Sequence, residues 1–117
     1  MHRTVLIVDD HPAFRDAARS LLEAEGFAVV GEAGDGHEAL AAAEALQPDV
    51  VLLDIQLPGI DGSQVANQLA DGNASAAVVL ISSRDADTYG ARLASVRAAG
   101  FLAKRELSGA ALARLLA

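Results

Sequence analysis

Cysteine and tryptophan are absent from the 117 residues, and the aromatic side chains amount to one tyrosine and three phenylalanines. Without thiols the chain has no disulfide, no thiolate metal site and no thiol redox chemistry, a composition that fits a reducing cytoplasm. Aromatics supply 3% of the residues but apolar side chains 52%, so the core must be built from short aliphatics that let helices pack closely on a sheet. Long apolar runs are missing as well. The run in MHRTVLIVDD is too short for a signal-peptide core, and no stretch is long enough to span a membrane, so no membrane partner is expected. Basic residues are scarce: nine against sixteen acidic ones leave a net charge of −7. That balance repels a phosphate backbone and argues against direct nucleic-acid binding by this segment.

A chain of this length suits one compact domain, read here as residues 1–117, with any output domain absent from it. Five apolar runs read as strands: Thr4–Val8, Ala28–Val30, Val50–Leu53, Ala76–Ile81 and Phe101–Ala103. Between them lie sets of helical period, each marking one buried face. The sets are Phe14, Ala18, Leu21 and Leu22; Leu40, Ala43 and Leu46; Val65, Ala66 and Leu69; Tyr89, Leu93 and Val96; and Ala111, Leu112 and Leu115. Strand and helix alternate throughout, which predicts an α/β fold: a doubly wound (βα)5 unit with a five-stranded parallel sheet and helices on both faces. The punctuation agrees. Pro12 can open the first helix, Gly26 can close it, and Pro58-Gly59 with Gly62 breaks the chain after the third strand.

Each conspicuous polar residue directly follows an apolar run: TVLIV then Asp9-Asp10, DVVLL then Asp54, AVVLI then Ser82, and GFLA then Lys104. In a parallel sheet the carboxyl ends of the strands share one edge, where ligands bind. Carboxylates about 5 Å apart in an effective dielectric near 20 repel by roughly 3 kcal/mol per pair, more than a single lysine offsets. A hard divalent cation with oxygen ligands can, and magnesium suits such a set, with manganese as an alternative. An open magnesium site beside an extra carboxylate and an ammonium is arranged for a phosphoryl group. One carboxylate can then act as nucleophile and form an acyl phosphate.

The acidic pair Asp9-Asp10, the segment LLDIQLPGIDG around Asp54, Ser82 ending the fourth strand and Lys104 in GFLAK together resemble the receiver domains of two-component response regulators. The resemblance covers the whole chain and implies a flavodoxin-like or CheY-like fold. It implies that Asp54 is the phosphoacceptor and that Asp10, Asp54 and the backbone carbonyl of Gln56 bind magnesium directly, with Asp9 acting through water. It further assigns Ser82 and Lys104 to the phosphoryl oxygens, and Ser82 and Phe101 to a switch in which the ring turns inward. Gln56 and Arg84, two residues beyond Asp54 and Ser82, are expected to tune acyl phosphate chemistry. Only self-phosphorylation and autodephosphorylation are expected of such a signalling domain. The opening DDHPAFRDAARSLLEAEGFAVVGEAGDG resembles the NarL/FixJ subfamily. This implies a sensor histidine kinase as partner, a C-terminal helix-turn-helix DNA-binding domain in the full-length protein, and a phosphorylation-dependent homodimer. The output surface is expected to lie on the fourth helix, fifth strand and fifth helix. Two positions depart from the family pattern: Arg105 stands where proline is frequent, and Ser82 replaces the commoner threonine, leaving χ1 freer.

Other readings compete. Gly34-Asp35-Gly36-His37-Glu38-Ala39 fits the dinucleotide pattern G-x-G-x-x-G/A, but Asp35 and Glu38 would place negative charge beside a pyrophosphate. A haloacid-dehalogenase-like phosphatase also uses an aspartyl phosphate and magnesium, yet its D-x-D pattern is missing from the end of the first strand. A receiver-like module that is never phosphorylated is the third alternative, and the intact polar quartet speaks against it. Asp10 could simply cap the first helix. His2, His11 and His37 read as solvated surface residues, as do Glu23, Glu25, Glu38 and Glu44; a metal-ligand role for His11 is the lesser alternative, since the site already has oxygen ligands suited to magnesium.

Overall fold

The computed structural model describes residues 3–60, 62–72, 76–83 and 97–116. The chain runs β1 (Thr4–Val8), α1 (Pro12–Ala24), β2 (Ala28–Ala33), α2 (Gly36–Leu46), β3 (Val50–Asp54), α3 (Gly62–Asp71), β4 (Ala77–Ser82), β5 (Gly100–Ala103), a 3-10 turn (Lys104–Glu106) and α4 (Gly109–Leu116). All strand pairs are parallel, in the order β2-β1-β3-β4-β5. The α/β architecture expected from the alternation is therefore present. The expected helix carrying Tyr89, Leu93 and Val96 lies outside the described residues, as do Arg84 and His2.

The period-two pleat of the strands sorts their side chains onto two faces. Val5, Ile7, Leu52, Val79 and Ile81 meet Ala18 and Leu22 of α1 and Leu112 of α4. Leu6, Val8, Val51, Leu53 and Leu80 meet Ala39 and Ala43 of α2 and Val65, Ala66 and Leu69 of α3. Helices thus cover both faces, and β3 is buried along its whole length between β1 and β4. Pro12 sits at the start of α1. The end of α1 is closed by Gly26 at φ 95°, where Gly26 N–H donates to Glu23 O and Phe27 N–H donates to Leu22 O. This is a Schellman arrangement, and the positive φ is what calls for glycine.

Two expectations need correction. The second strand continues to Ala33, past the Val30 at which the apolar run stops. Its register against β1 shifts between Val5 and Leu6, whose partners are Val29 and Gly31, and this leaves Val30 outside the ladder and exposed. As an edge strand it can also carry a charge, and Glu32 is held by Arg15 Nε at 3.1 Å and Arg19 Nε at 2.8 Å, both from α1. On α2, Leu46 is exposed at 43%, while Ala39 and Ala43 form the buried face. The leucine instead leans over Gly31, where a Cβ would stand 2.6 Å from its Cδ1.

Candidate functional site

The strand order reverses between β1 and β3, so the loops leaving their carboxyl ends diverge and open a crevice. Asp9 follows β1 and is fully buried, its N–H donating to Ala33 O at 3.0 Å. Its Oδ1 accepts from His11 N at 2.8 Å, an Asx turn that fixes the carboxylate. Asp54 ends β3 and is 3% exposed; its Oδ1 accepts from Gln56 N at 2.9 Å. Lys104 leaves β5 and reaches across the edge, with Nζ 2.6 Å from Asp9 Oδ2 and 3.1 Å from Asp54 Oδ2. The ring of Phe14 steadies it from α1, its centroid 4.5 Å from Nζ. Ser82 is fully buried one residue past Ile81, the register partner of Asp54, and level with Ala103, the residue before Lys104.

The sequence model for the response regulator receiver domain matches residues 5–115. The chain belongs to that family. The receiver is 38% identical over 113 residues to the response regulator GacA of Pseudomonas viridiflava, covering 96% of this chain and 51% of GacA. It is 34% identical over 101 residues to the DNA-binding transcriptional activator EvgA of Escherichia coli K12, covering 86% of this chain and 50% of EvgA. The chain thus spans about half the length of these curated relatives. Among solved structures, the signal receiver domain of the response regulator NarL from Mycobacterium tuberculosis superposes with a TM-score of 0.88 at 37% identity, covering 98% of this chain and 97% of that one. The family places the chain within two-component signalling, its relatives include a protein described as a DNA-binding transcriptional activator, and none of them supports the haloacid-dehalogenase-like alternative.

Within the receiver, burial works against the charge on Asp9, but the Lys104 ammonium and the His11 amide outweigh it and hold the carboxyl below the usual range. Asp54 goes the other way. Burial is the largest influence and the neighbouring Asp9 adds to it, so its carboxyl is raised despite Gln56 and Lys104. Lys104 is raised because its two carboxylates overcome its own desolvation. The same crevice thus holds one carboxyl low and pushes the other up.

The donor set fits a hard cation. Asp9, Asp10, His11 and Asp54 each offer a ligand atom, all within 4.8 Å of one another. Asp9 Oδ2 is buried and faces Lys104 Nζ at 2.6 Å. Among the described residues no helix is long and apolar enough to cross a membrane.

The structure brings Asp9, Asp10, Asp54 and Lys104 together and sets Ser82 beside them in register. Phe101 sits one strand away, half-buried against the core under α2 and α3, opposite Leu80. Asp10 is no helix cap, since the position before Pro12 is His11, whose side chain caps no amide. The Gly34–Ala39 segment is not a phosphate cradle. Asp35 Oδ1 accepts from Glu38 N at 2.8 Å and Glu38 Oε2 accepts from Gly34 N at 3.0 Å, so the loop's own carboxylates occupy the amides a pyrophosphate would need.

Sequence reasoning missed several supports. Arg15 donates through Nη1 to the Asp9 carbonyl, and His11 Nδ1 lies 3.1 Å from both Asp9 Oδ1 and Asp10 Oδ1. Gly62 was visible only as a chain breaker. In the fold its N–H donates to Ile55 O at 2.8 Å, and a Cβ there would stand 2.3 Å from the Asp54 carbonyl oxygen and 2.6 Å from Ile55 Cα. Backbone cannot yield to a methyl group. Gly62→Ala is therefore expected to push α3 away from the end of β3, costing about 2 kcal/mol and slowing chemistry at Asp54. Urea melts check the first part; a loss below about 0.5 kcal/mol would show that the close approach is not needed.

Proposed function

We propose that Asp54 accepts a phosphoryl group from the phosphohistidine of a sensor histidine kinase or from a small acyl phosphate. The observation that carries this reading is the placement of one lysine between a fully buried aspartate and the strand-end aspartate, at the edge where the sheet topology opens. A carboxylate oxygen of Asp54 attacks phosphorus in line, the P–N or P–O bond to the donor breaks, and an acyl phosphate forms. Asp54 Oδ1 is tied to Gln56 N, which leaves Oδ2, on the Lys104 side, as the attacking atom. Lys104 then turns from the carboxylates to the new phosphoryl oxygens, and Ser82 donates a hydrogen bond to one of them.

Asp10 and Asp54 with the Gln56 carbonyl would hold magnesium, or manganese in its place, with Asp9 acting through water. When bound, the ion neutralises charge on the equatorial oxygens of the transferring group. Gln56 next to the Asp54 turn, and Arg84 by its place two residues beyond Ser82 in the sequence, are assigned to tuning the lifetime of the acyl phosphate. Self-phosphorylation and autodephosphorylation are the only reactions assigned to the domain itself.

The domain spans residues 1–117 and works in the cytoplasm, coupled in the full-length protein to a C-terminal helix-turn-helix domain and paired as a phosphorylation-dependent homodimer. The added phosphoryl charge of about −2 draws Ser82 toward it, and Phe101 turns into the space behind. The surface of β5 and α4 changes in consequence. Incubation with acetyl phosphate and magnesium should add one phosphoryl group per chain, measured by intact mass. A chelator should abolish the gain. Equal labelling with and without divalent metal would overturn the reading.

A further inference from the structure

Asp9 and Asp10 share a peptide unit, so the direction in which the Asp10 carboxylate leaves the backbone follows the orientation of that one plane. Asp9 itself is held by β2, its N–H donating to Ala33 O at 3.0 Å, and by the turn in which its Oδ1 accepts from His11 N at 2.8 Å. Those contacts fix its amide and its carboxylate. Neither touches its carbonyl, which accepts from Nη1 of Arg15 in the first turn of α1.

Arg15 is braced for that task. Its Nε lies 3.1 Å from Glu32 Oε1, while the other oxygen of the same carboxylate takes Arg19 Nε at 2.8 Å. Glu32 precedes Ala33, so adjacent residues of β2 hold both ends of Asp9: Ala33 its amide, and Glu32 its carbonyl through Arg15. An anchor between α1 and β2 is already supplied by Arg19, which also reaches Val29 O at 3.3 Å. The second donor of Arg15 serves the acidic centre instead. A planar guanidinium spans a carboxylate and a carbonyl with two donors at fixed separation, whereas an ammonium is a point charge.

We propose that Arg15 is a positioning residue for the acidic centre: it fixes the Asp9-Asp10 peptide plane and thereby sets how tightly the carboxylates hold a divalent ion. It acts through the peptide and not as a ligand. The inference rests on the receiver reading of the same carboxylates.

Magnesium titration of the whole chain, followed by amide shifts with no phosphoryl donor present, tests it in wild type, Arg15→Gln, Arg15→Lys and Arg19→Gln. The Arg19 variant removes a guanidinium from the same Glu32 carboxylate without touching the Asp9 carbonyl, so it reports the structural cost alone. Both Arg15 variants are expected to weaken magnesium binding about tenfold, and Arg19→Gln less than about twofold. In the metal-free state, loss of the hydrogen bond to the Asp9 carbonyl should move the Asp10 amide nitrogen in both Arg15 variants and leave it in place in Arg19→Gln. Affinity within about threefold of wild type in either folded Arg15 variant, or an equal loss in Arg19→Gln, would overturn the proposal. Urea melts identify a variant that has lost its fold, and Arg15→Lys, which keeps the charge, carries the test if Arg15→Gln has done so. Acetyl phosphate labelling of wild type is run alongside. If labelling fails while wild type binds magnesium, the phosphoacceptor reading falls and weakened binding in the Arg15 variants still supports their assignment. If labelling succeeds while those variants bind magnesium normally, only the role of Arg15 falls.

Discussion

Asp54→Asn is expected to lose all acetyl phosphate labelling while unfolding at the same urea concentration as wild type or a higher one. The substitution keeps the side-chain shape and an oxygen to accept from Gln56 N, so the turn after β3 is preserved. It removes the nucleophile outright. Stability should not suffer, because Lys104 faces two carboxylates, at 2.6 and 3.1 Å, and only one is needed to match its charge. Burial and the neighbouring Asp9 already push the Asp54 carboxyl upward, which marks its ionised form as unfavourable in the fold. Replacing an imperfectly compensated buried charge by a neutral isostere is often neutral or stabilising, so a change between zero and about 2 kcal/mol in the stabilising direction is expected. Intact mass and urea melts decide both halves. Labelling that persists in the variant would move the acceptor to another residue, and a loss above about 1 kcal/mol would show that Asp54 is held for stability.

Lys104→Ala should do the opposite, destabilising the fold by about 3 kcal/mol at neutral pH. Asp9 is fully buried and Asp54 nearly so, and the ammonium is the cation that both face. The contact with the Phe14 ring is lost as well, worth about 0.5 to 1 kcal/mol. The pH dependence follows from the direction of the shifts. Lys104 helps hold Asp9 below its usual range, so its contribution is complete above the unfolded carboxylate value of about 3.9 and fades as pH falls through the lower folded value. In the variant both carboxyls rise, and protonation in acid relieves the repulsion. Urea melts at pH 7 and below about pH 3 should show the deficit shrinking toward acid, once the pH has fallen under the unfolded carboxylate value. A deficit that is constant with pH would contradict the ion-pair account.

Much of this was legible in the sequence because the chemistry falls where apolar runs stop. Once strands and helices alternate, topology alone gathers the residues after β1, β3, β4 and β5 at one edge. What escaped was set by packing rather than pattern. The continuation of β2 through Gly31 and Glu32 has no apolar signal, because an edge strand is satisfied by a glycine under Leu46 and a glutamate clamped by Arg15 and Arg19. The exposure of Leu46 followed from the same cause. Gly62 looked like a loop residue, since the missing volume that matters lies against a carbonyl eight positions earlier. His11 read as a surface histidine, and it is exposed; only the turn made by Asp9 brings its ring to the carboxylates.

The most direct measurement of the central claim is chemical localisation of the phosphoryl group. An aspartyl phosphate is reduced by borohydride to homoserine, which peptide mass spectrometry can assign to a position. After treatment with acetyl phosphate and magnesium, homoserine should be found at position 54 and nowhere else. Homoserine at position 9 or 10, or a borohydride-resistant phosphate on His11, would contradict the account.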